Sequence, residues 1–308
     1  IYCFFSRVAN KLLGENSILV YLLNKHKIDL LSHSYIAKWS KIKSLPWIPD
    51  FQHCLLPEFF SERHIKLRNL AYQKYLNNPQ FILSSYSALN DAKIFFQVNG
   101  DAFIYRFRPR PFDEFNYAGY NELCRKHNIN KPFVFLPNQF WKHKNHLQCF
   151  KSCLKAKNDG QPFQLVCSGG FTDHRNPEYT NEVQSFIQDN DMALEIVTVG
   201  LIDRSIFNCL MKESTLVVNP SKFEGWSTTV EEAKALGKPL ALSNLSVHKE
   251  QTENMSNVEY FDIDNIVQCS NAIQKLLNLN PLVEGTSQYD ASRKVDSLYH
   301  TLKVITYD

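Results

Sequence analysis

The sequence has no long hydrophobic run. Nowhere do about 18 apolar residues, the length of a transmembrane helix, follow one another, and the stretch from Ile18 to Leu23 ends at the polar residues 24–26. Residues 1–14 include Arg7 and Lys11 and lack the apolar core and small-residue cleavage site of a signal peptide. The sequence shows no membrane span and no secretion signal, so we expect at most peripheral membrane contact.

The sequence also lacks the cysteine spacings of zinc and disulfide frameworks. Its eight cysteines form no CxxC pair, and most have apolar neighbours. Such cysteines are typical of reduced core thiols in a cytosolic protein. We therefore expect a cytoplasmic protein without such a framework; the cysteines are Cys3, Cys54, Cys124, Cys149, Cys153, Cys167, Cys209 and Cys269.

Neither sign of charge is in large excess. The chain has 34 Lys and Arg against 31 Asp and Glu, a net charge of +3, which is too close to balance for a nucleic-acid coat or a polybasic membrane anchor. No nucleic-acid partner is expected. Hydrophobic residues make up 44% of the chain, with 10 Gly and 13 Pro, which excludes a disordered or low-complexity protein.

The length of 308 residues favours two domains, at about 100 to 200 residues per domain. Prolines alternate in RFRPRP, from Arg106 to Pro111, which predicts an extended connector because proline cannot donate to a strand ladder. We place the hinge region there. The expected domains are residues 1–115 and 116–308, and the last helix is a candidate to cross back to the first domain.

Short apolar runs alternate with helical stretches in both halves of the chain. This βαβ order predicts an α/β fold whose parallel sheets are covered on both faces. In such sheets, ligands bind beyond the carboxyl ends of the strands. The predicted strands are Ile28–Ser32, Phe81–Ser84, Phe133–Leu136, Leu165–Cys167, Ile196–Val199, Leu216–Asn219 and Pro239–Leu242, and a helix is predicted over Ser61–Leu76.

The most informative motif, PSKFEGWSTTVEEAKALGKP, follows the predicted strand Leu216–Asn219. A short helix is expected over Val230–Leu236, with Thr228 or Thr229 as its N-cap and Gly237 as its stop. Free backbone N–H groups at a helix start, together with a glycine that allows close approach, suit a diphosphate. The glycine is Gly225. Two carboxylates, Glu224 and Glu232, would then face sugar hydroxyls and a ribose diol.

A purely local interpretation of Glu232 stays open. Thr229 and Glu232, like Thr228 and Glu231, have the spacing of a capping box, in which the acidic side chain only closes a helix end. That alternative does not explain Glu224 and Gly225 in the loop before the helix.

The same segment resembles the signature of retaining glycosyltransferases of the GT-B fold, family 4, in which two glutamates separated by seven residues precede a helix that ends in Gly-Lys-Pro. The resemblance implies that Glu224 contacts the donor sugar and Glu232 the nucleotide ribose. It also places Gly225 and the loop residues that follow in the donor site. This chain has Ser-Thr-Thr where the family often has Gly-Leu-Pro, so backbone contacts are expected to persist; these loop residues are Trp226, Ser227, Thr228 and Thr229.

A second segment, LPNQFWKHKNH from Leu136 to His146, resembles the family's diphosphate-binding loop. Lys144 matches the family's lysine, which implies that it stabilises charge on the leaving diphosphate. Gln139 stands where the family usually has arginine, and Lys142 is expected to compensate. A solvated basic loop is the alternative; zinc binding by the two histidines is not expected, because no further ligands lie nearby.

Other donor-site assignments rest on the resemblance. Gly169, in the turn LVCSGGFTD, matches the nucleotide-domain turn, although a plain tight turn explains it equally well. Ile202 in VTVGLIDRSIF is expected to contact the base, or is an ordinary residue at a strand end. Likeness of LPWIPDFQH and FILSSYSALND to a subgroup of the family implies that His53 lines the cleft near the reacting sugar, and that Ser84 and Ser85 reach the donor phosphates or the acceptor.

The triplet Asp262-Ile263-Asp264 has the DxD spacing that other glycosyltransferases use for a divalent metal. Because it precedes a predicted helix, we assign it to helix capping. The resemblance implies no metal and no other cofactor, since Lys144 and a helix start supply positive potential.

Taken together, the resemblance implies a GT-B protein with two Rossmann-like domains whose parallel sheets face a cleft. It implies a retaining, hexosyltransferase-like enzyme of cell-surface polysaccharide or lipopolysaccharide synthesis. The donor would be a UDP- or GDP-linked sugar and the acceptor a saccharide or lipid-linked hydroxyl. The enzyme would act in the cytoplasm or at the inner face of the membrane, with catalytic roles for His53, Lys144 and Glu224.

Two other hypotheses remain open: a GT-B epimerase or phosphorylase, and a non-catalytic nucleotide-sugar binding fragment. The first domain begins in a helix, and a βαβ unit takes roughly 30 residues. We therefore expect a truncated first domain that lacks about two such units before Ile1.

Overall fold

The computed structural model describes residues 17–36, 40–108 and 112–279. The chain divides between Phe107 and Arg108 into two compact units. This boundary lies within the predicted hinge and earlier than the expected boundary after residue 115. The expected return of the last helix falls on residues 280–308, outside the described residues.

The first unit contains short parallel sheets flanked by helices. Strand β1 pairs with β2, and β4 lies between β3 and β5; all pairs are parallel. The elements are α1 (Ser17–Lys25), β1 (Leu30–Ser32), β2 (Lys43–Leu45), β3 (Trp47–Ile48), α2 (Gln52–Leu55), α3 (Glu62–Leu76), β4 (Gln80–Leu83), α4 (Tyr86–Phe95) and β5 (Asp101–Ile104), with a short 3-10 helix over Pro57–Phe59.

The second unit alternates strand and helix throughout. Its elements are α5 (Tyr117–His127), β6 (Phe133–Leu136), α6 (His146–Asn158), β7 (Gln164–Ser168), α7 (Tyr179–Asp189), β8 (Ile196–Gly200), α8 (Arg204–Glu213), β9 (Leu216–Asn219), α9 (Thr228–Ala235), β10 (Leu240–Ser243), α10 (Ser246–Gln251), β11 (Val258–Phe261) and α11 (Ile266–Leu277), with a 3-10 turn over Lys142–Lys144.

The six strands of the second unit form one parallel sheet in the order β11-β10-β9-β6-β7-β8. Counted from β6, this is the strand order of a Rossmann sheet. The chain starts in the middle, runs outward to β8, and returns to lay β9 against the other side of β6. The carboxyl ends of β6 and β9 therefore flank the switch point, where doubly wound sheets bind ligands.

Two apolar clusters cover the two faces of this sheet. Val134 and Leu136 of β6 face a cluster that includes α6, α7 and α11. Phe133 and Phe135 face a second cluster that includes α5, α8 and α9. Side chains alternate along a strand, so fully apolar β6 serves both faces. This arrangement puts α6 and α9 on opposite faces.

The structure confirms the predicted parallel α/β organisation and the positions of all seven predicted strands. Strands β6 and β9 have the predicted bounds, and the others shift by one or two residues. Strands β2, β3, β5 and β11 were not predicted. None of the described helices has the length and apolarity needed to cross a bilayer.

Candidate donor site at the switch point

Lys144 and Glu224 meet across the switch point of the second sheet. Lys144 follows β6 and Glu224 follows β9, and Nζ of the lysine lies 2.7 Å from Oε1 of the carboxylate. Their side chains are 15% and 8% exposed. The two residues predicted from separate motifs therefore form one ion pair, at the place where the topology predicts a ligand.

Polar groups from the end of β9 hold the Glu224 carboxylate. Oγ of Ser221 lies 2.7 Å from Oε1 of Glu224, and Nδ2 of Asn219 donates to the same oxygen at 3.3 Å. Burial alone would raise the pKa of Glu224, but the Lys144 ammonium, His248 and the hydrogen bonds from Lys144 and Ser221 outweigh it and hold the pKa at about 2. Glu224 is therefore an anion at neutral pH and serves as a hydrogen-bond acceptor.

Helix α9 begins beside this ion pair. Its N-cap is Ser227, whose Oγ accepts from the backbone N–H of Val230 and from Nδ2 of Asn219. The predicted cap at Thr228 or Thr229 is wrong, because Ser227 has extended backbone angles and both threonines are already helical. Thr229 is buried and its hydroxyl faces Pro137 O and Asn138 Oδ1, while Thr228 is exposed.

Glu232 lies one turn into α9 and pairs with Arg204 at the start of α8. Nη2 of Arg204 lies 2.7 Å from Oε1 of Glu232, with side-chain exposures of 51% and 8%. Burial raises the pKa of Glu232, and the Arg204 guanidinium offsets part of that rise. Neither capping box forms: Glu232 binds Arg204, and Glu231 binds Lys234 and Gln251.

The loop after β6 packs against the turn after β7. Gly169 has φ +143°, and a Cβ built on it would lie 2.3 Å from the backbone oxygen of Asn138. Oε1 of Gln139 accepts from the backbone N–H of Gly170 at 2.7 Å. Gln139 therefore holds this turn, and Gly169 is needed for close backbone approach rather than for a turn alone.

Lys142 lies away from the ion pair. Its backbone N–H donates to Oδ2 of Asp173 at 3.0 Å, and its side chain lines a cavity with Lys222 and Asp264. Lys144 and Glu224 do not line that cavity. Lys142 thus belongs to the wall of this cavity and not to the Lys144–Glu224 ion pair.

The remaining donor-side predictions occupy the neighbouring loops. Gly225 and Trp226 lie between Glu224 and the α9 cap, and Trp226 is buried. Ile202 is half-buried and packs against the apolar cluster beneath α8 and α9. These contacts leave open its predicted role at the base.

In the first unit, His53 is fully buried on α2. Its Nε2 lies 2.9 Å from Oδ1 of Asn69, and its ring packs edge-on against Tyr72. If Nε2 carries the proton, Nδ1 is an acceptor, and it has no hydrogen-bond partner among the described residues. Burial lowers the pKa of His53, so the ring is neutral at neutral pH.

The two serines of the first unit have roles within their own fold. Ser84 Oγ accepts from Nε1 of Trp47 at 3.1 Å, and Ser85 caps α4 by accepting from the backbone N–H of Ala88 at 2.9 Å. A helix start with a buried cap is still a suitable place for an anion. Their predicted contact with phosphates or acceptor stays a prediction.

The assignment of Asp262 and Asp264 to helix capping is wrong. Asn265 caps α11, whereas Asp264 pairs with Lys222 at 2.7 Å and Asp262 accepts from Asn244. Asp264 has φ +62° and precedes the cap, and its carboxylate contacts Lys222 and Asn145. No group of three or more His, Cys, Asp or Glu side chains suited to a metal occurs among the described residues.

The family model described as glycosyl transferases group 1 matches residues 121–293. The chain belongs to the glycosyl transferases group 1. This glycosyltransferase therefore has the activity class that both motifs indicated. No curated protein matches the chain in sequence.

Solved structures confirm the GT-B fold of this glycosyltransferase. Anabaena HepE in complex with UDP and glucose superposes with a TM-score of 0.73 at 16% identity, over 96% of this chain and 82% of that one. A glycosyltransferase from Rickettsia africae gives 0.67 at 17% identity, over 88% and 73%. WaaG, a glycosyltransferase involved in lipopolysaccharide biosynthesis, gives 0.67 at 13% identity, over 94% and 81%.

Three residues of this site were missed from the sequence of the glycosyltransferase. Asn219 and Ser221 carried a signal, because a polar residue ending an apolar strand such as LVVN must find a buried partner. Arg204 carried none: its partner Glu232 lies on a neighbouring helix, 28 positions away by their numbers.

Proposed function

We propose that the protein transfers a sugar from a nucleotide-diphosphate sugar to an acceptor hydroxyl with retention of anomeric configuration. The observation that carries this proposal is the Lys144–Glu224 ion pair at the switch point, beside the start of α9. It provides a cation for the diphosphate and an anion for the sugar within one contact. The α9 backbone N–H groups add positive potential at the same place.

In this proposal the bound donor replaces the contact between Lys144 and Glu224 with one contact to each of the two side chains. The diphosphate draws the Lys144 ammonium, and Glu224, already an anion, accepts hydrogen bonds from the sugar hydroxyls. The bond from the anomeric carbon to the diphosphate breaks with its electron pair staying on the phosphate oxygen. The acceptor oxygen then bonds to the same face of that carbon, and its proton passes to the departing diphosphate. Lys144 stabilises the charge that develops there.

Glu232 is proposed to receive the ribose diol. Its Oε1 pairs with Arg204, and Glu232 lies one turn into α9, the helix whose start we propose for the diphosphate. We propose that Ile202 contacts the base and that neutral His53 accepts a hydrogen bond from the sugar or acceptor through Nδ1. No metal is proposed to take part, and unchanged turnover in the presence of a chelator would support that.

The comparisons suggest the first substrates to test. HepE was solved with UDP and glucose, and WaaG takes part in lipopolysaccharide biosynthesis. We therefore propose a UDP- or GDP-linked donor and a saccharide acceptor, free or lipid-linked, on the cytoplasmic side of a membrane. All described cysteines are free thiols, which suits a reducing compartment.

The deciding experiment follows nucleoside diphosphate release from UDP-glucose and GDP-mannose, with and without saccharide acceptors. Transfer with retained configuration, read from the anomeric proton coupling of the product, is the expected result. Lys144→Met should lower turnover at least a hundredfold, since one electrostatic donor at a transition state is worth about that much. Lys155→Met is the matched control, because Lys155 pairs with Asp159 on the surface of α6.

Other outcomes reject the proposal in defined ways. Donor interconversion or phosphorolysis without transfer would indicate an epimerase or a phosphorylase. Nucleotide binding without hydrolysis or transfer would indicate a binding module. Turnover that survives Lys144→Met would move the donor site away from the ion pair.

A further inference from the structure

A cavity of about 300 Å³ lies between the starts of α6, α7 and α11. These helices pack on the sheet face served by Val134 and Leu136, whereas α9 packs on the opposite face. The cavity is therefore on the other side of the sheet from the helix that starts the proposed donor site. The loop after β6 contributes Lys142 to the cavity and Lys144 to the proposed donor site. The loop after β9 likewise contributes Lys222 to the cavity and Glu224 to the donor site.

The cavity wall carries an excess of positive charge. Three lysines, Lys142, Lys151 and Lys222, line it together with two carboxylates, Glu182 and Asp264. Lys222 is neutralised by Asp264 at 2.7 Å. Within the described ranges of the chain, no ion pair joins Lys142 or Lys151 to a carboxylate. Lys142, Lys151 and Glu182 thus remain at the wall without an ion-pair partner in that part of the chain, so positive charge exceeds negative charge by one.

Tyr179 supplies a second, independent observation. This residue lines the cavity and is only 3% exposed, yet its O–H group has no hydrogen-bond acceptor among the residues that the structure describes. Burial raises its pKa, while the backbone N–H groups of Leu147 and His146 at the start of α6 face its oxygen. The hydroxyl therefore keeps its proton and lacks an acceptor. A buried donor without an acceptor destabilises the fold, and an oxygen atom of a ligand in the cavity would supply the acceptor.

We propose that this cavity binds a small oxyanion, a phosphoryl or carboxylate group on a small molecule, separately from the donor site. The Tyr179 hydroxyl donates to one ligand oxygen, and the Lys142 and Lys151 ammonium groups neutralise its charge. The helix dipole of α6 adds to the positive potential. This site extends the role of Lys142 beyond that expected from the sequence, from the nucleotide diphosphate to a second anion.

The experiment measures binding of inorganic phosphate, glucose 6-phosphate and glucuronate to the full chain by calorimetry at constant ionic strength. Binding of at least one is expected; preference for phosphate and glucose 6-phosphate, or for glucuronate, identifies the phosphoryl or the carboxylate group. Tyr179→Phe should weaken binding at least tenfold, because it removes the O–H donor, and its melting curve shows that the variant is folded at the temperature of the measurement. The double variant Lys142→Met, Lys151→Met should do the same.

Two control variants separate this site from the rest of the protein. Lys155→Met removes a surface charge from the same helix, and Lys144→Met removes the cation of the donor site; both should bind these anions as the wild type does. The proposal is overturned if none of the three probes binds, or if Tyr179→Phe and the double variant bind them normally. It is also overturned if Lys144→Met abolishes the binding although its melting curve shows that the variant is folded at the temperature of the measurement.

Discussion

Arg204 holds Glu232, with Nη2 of the guanidinium 2.7 Å from Oε1 of the carboxylate. The guanidinium also lies over the rings of Phe207 and Phe112, at 4.8 Å and 5.5 Å from their centroids. Glu232 is buried and Arg204 is half exposed. The carboxylate that we assign to the ribose is therefore kept charged by a partner that can turn towards solvent.

Replacing Glu232 with alanine should weaken nucleotide binding sharply and leave the fold intact. The change removes the acceptor for the ribose diol, and the half-exposed Arg204 left behind stays solvated. Calorimetry with UDP and GDP measures the affinity, and the melting temperature measures the fold. Unchanged affinity would exclude the ribose role. Glu231→Ala is the neighbouring control, since Glu231 binds Lys234 and Gln251 instead.

Replacing Arg204 with alanine should make nucleotide affinity depend on pH. Burial already raises the pKa of Glu232, and Arg204 opposes that rise. Without Arg204 the pKa of Glu232 moves further up, so affinity should fall at a higher pH than in the wild type as the pH is lowered, because protonated Glu232 cannot accept both ribose hydrogen bonds. Arg204→Lys should restore most of the wild-type profile. A flat profile in the alanine variant would contradict the charge-holding role.

The Lys144–Glu224 pair should leave a signature in the acid stability of the protein. The folded pKa of Glu224 is about 2, below its ordinary value of 4.5, so its stabilising contribution is complete above pH 4.5 and is lost as the pH falls towards 2. Urea unfolding over this range measures the loss. Glu224→Gln should flatten that part of the profile.

Lys144→Met should reverse the sign of this dependence. It leaves a buried carboxylate without its cation, which destabilises the fold by about 3 to 5 kcal/mol at neutral pH. The folded pKa of Glu224 then rises above its unfolded value, so this variant should lose stability as the pH rises rather than as it falls. A variant as stable as the wild type at neutral pH would show that the pair contributes little.

Gly169→Ala should destabilise the second unit far more than Gly160→Ala. At residue 169 the new Cβ would lie 2.3 Å from a backbone oxygen, whereas at residue 160 no atom lies within 4 Å, although both glycines have positive φ. Positive φ alone costs roughly 1 kcal/mol, so the difference between the two variants in urea unfolding isolates the clash. Equal losses would show that the turn moves to accept the methyl group.

Ser227→Ala should cost about 1 kcal/mol, the usual cost of losing an N-cap, and Thr228→Ala should be close to neutral. Ser227 Oγ serves both Val230 N–H and Asn219, while Thr228 is exposed. Thermal unfolding of the two variants compares them directly. If Thr228→Ala costs more, the helix begins one residue later than we describe.

Short, nearly uninterrupted apolar runs made part of the fold predictable. Strands β6 and β9 are four apolar or nearly apolar residues each, buried on both faces, and their bounds follow from the sequence. Strand β5, Asp101–Ile104, begins with an exposed aspartate, and β11 is only partly buried; both lack a clear hydrophobic period and were missed. Glu224 and Lys144 were found through motifs. Their pairing could not be predicted, because it depends on β6 and β9 being neighbours in the sheet.

Residues that act through distant partners escaped prediction for the same reason. No local sequence pattern around Arg204 predicts its contact with Glu232, and none around Tyr179 predicts its position at the start of α6. The cap of α9 was misplaced because Ser227, Thr228 and Thr229 are all good caps. Only the backbone angles and the hydrogen bond from Asn219 distinguish Ser227.

The strand order of the second sheet also sets when the donor site can form. Lys144 and Glu224 are 80 positions apart, and two strands, β7 and β8, follow β6 outward before the chain returns with β9. Such a non-local pairing forms late in folding, because a long loop must close first. During synthesis on a ribosome, the two side chains would remain apart until β9 has left the exit tunnel. A nascent chain that ends before β9 would therefore display a basic loop without the carboxylate that neutralises it.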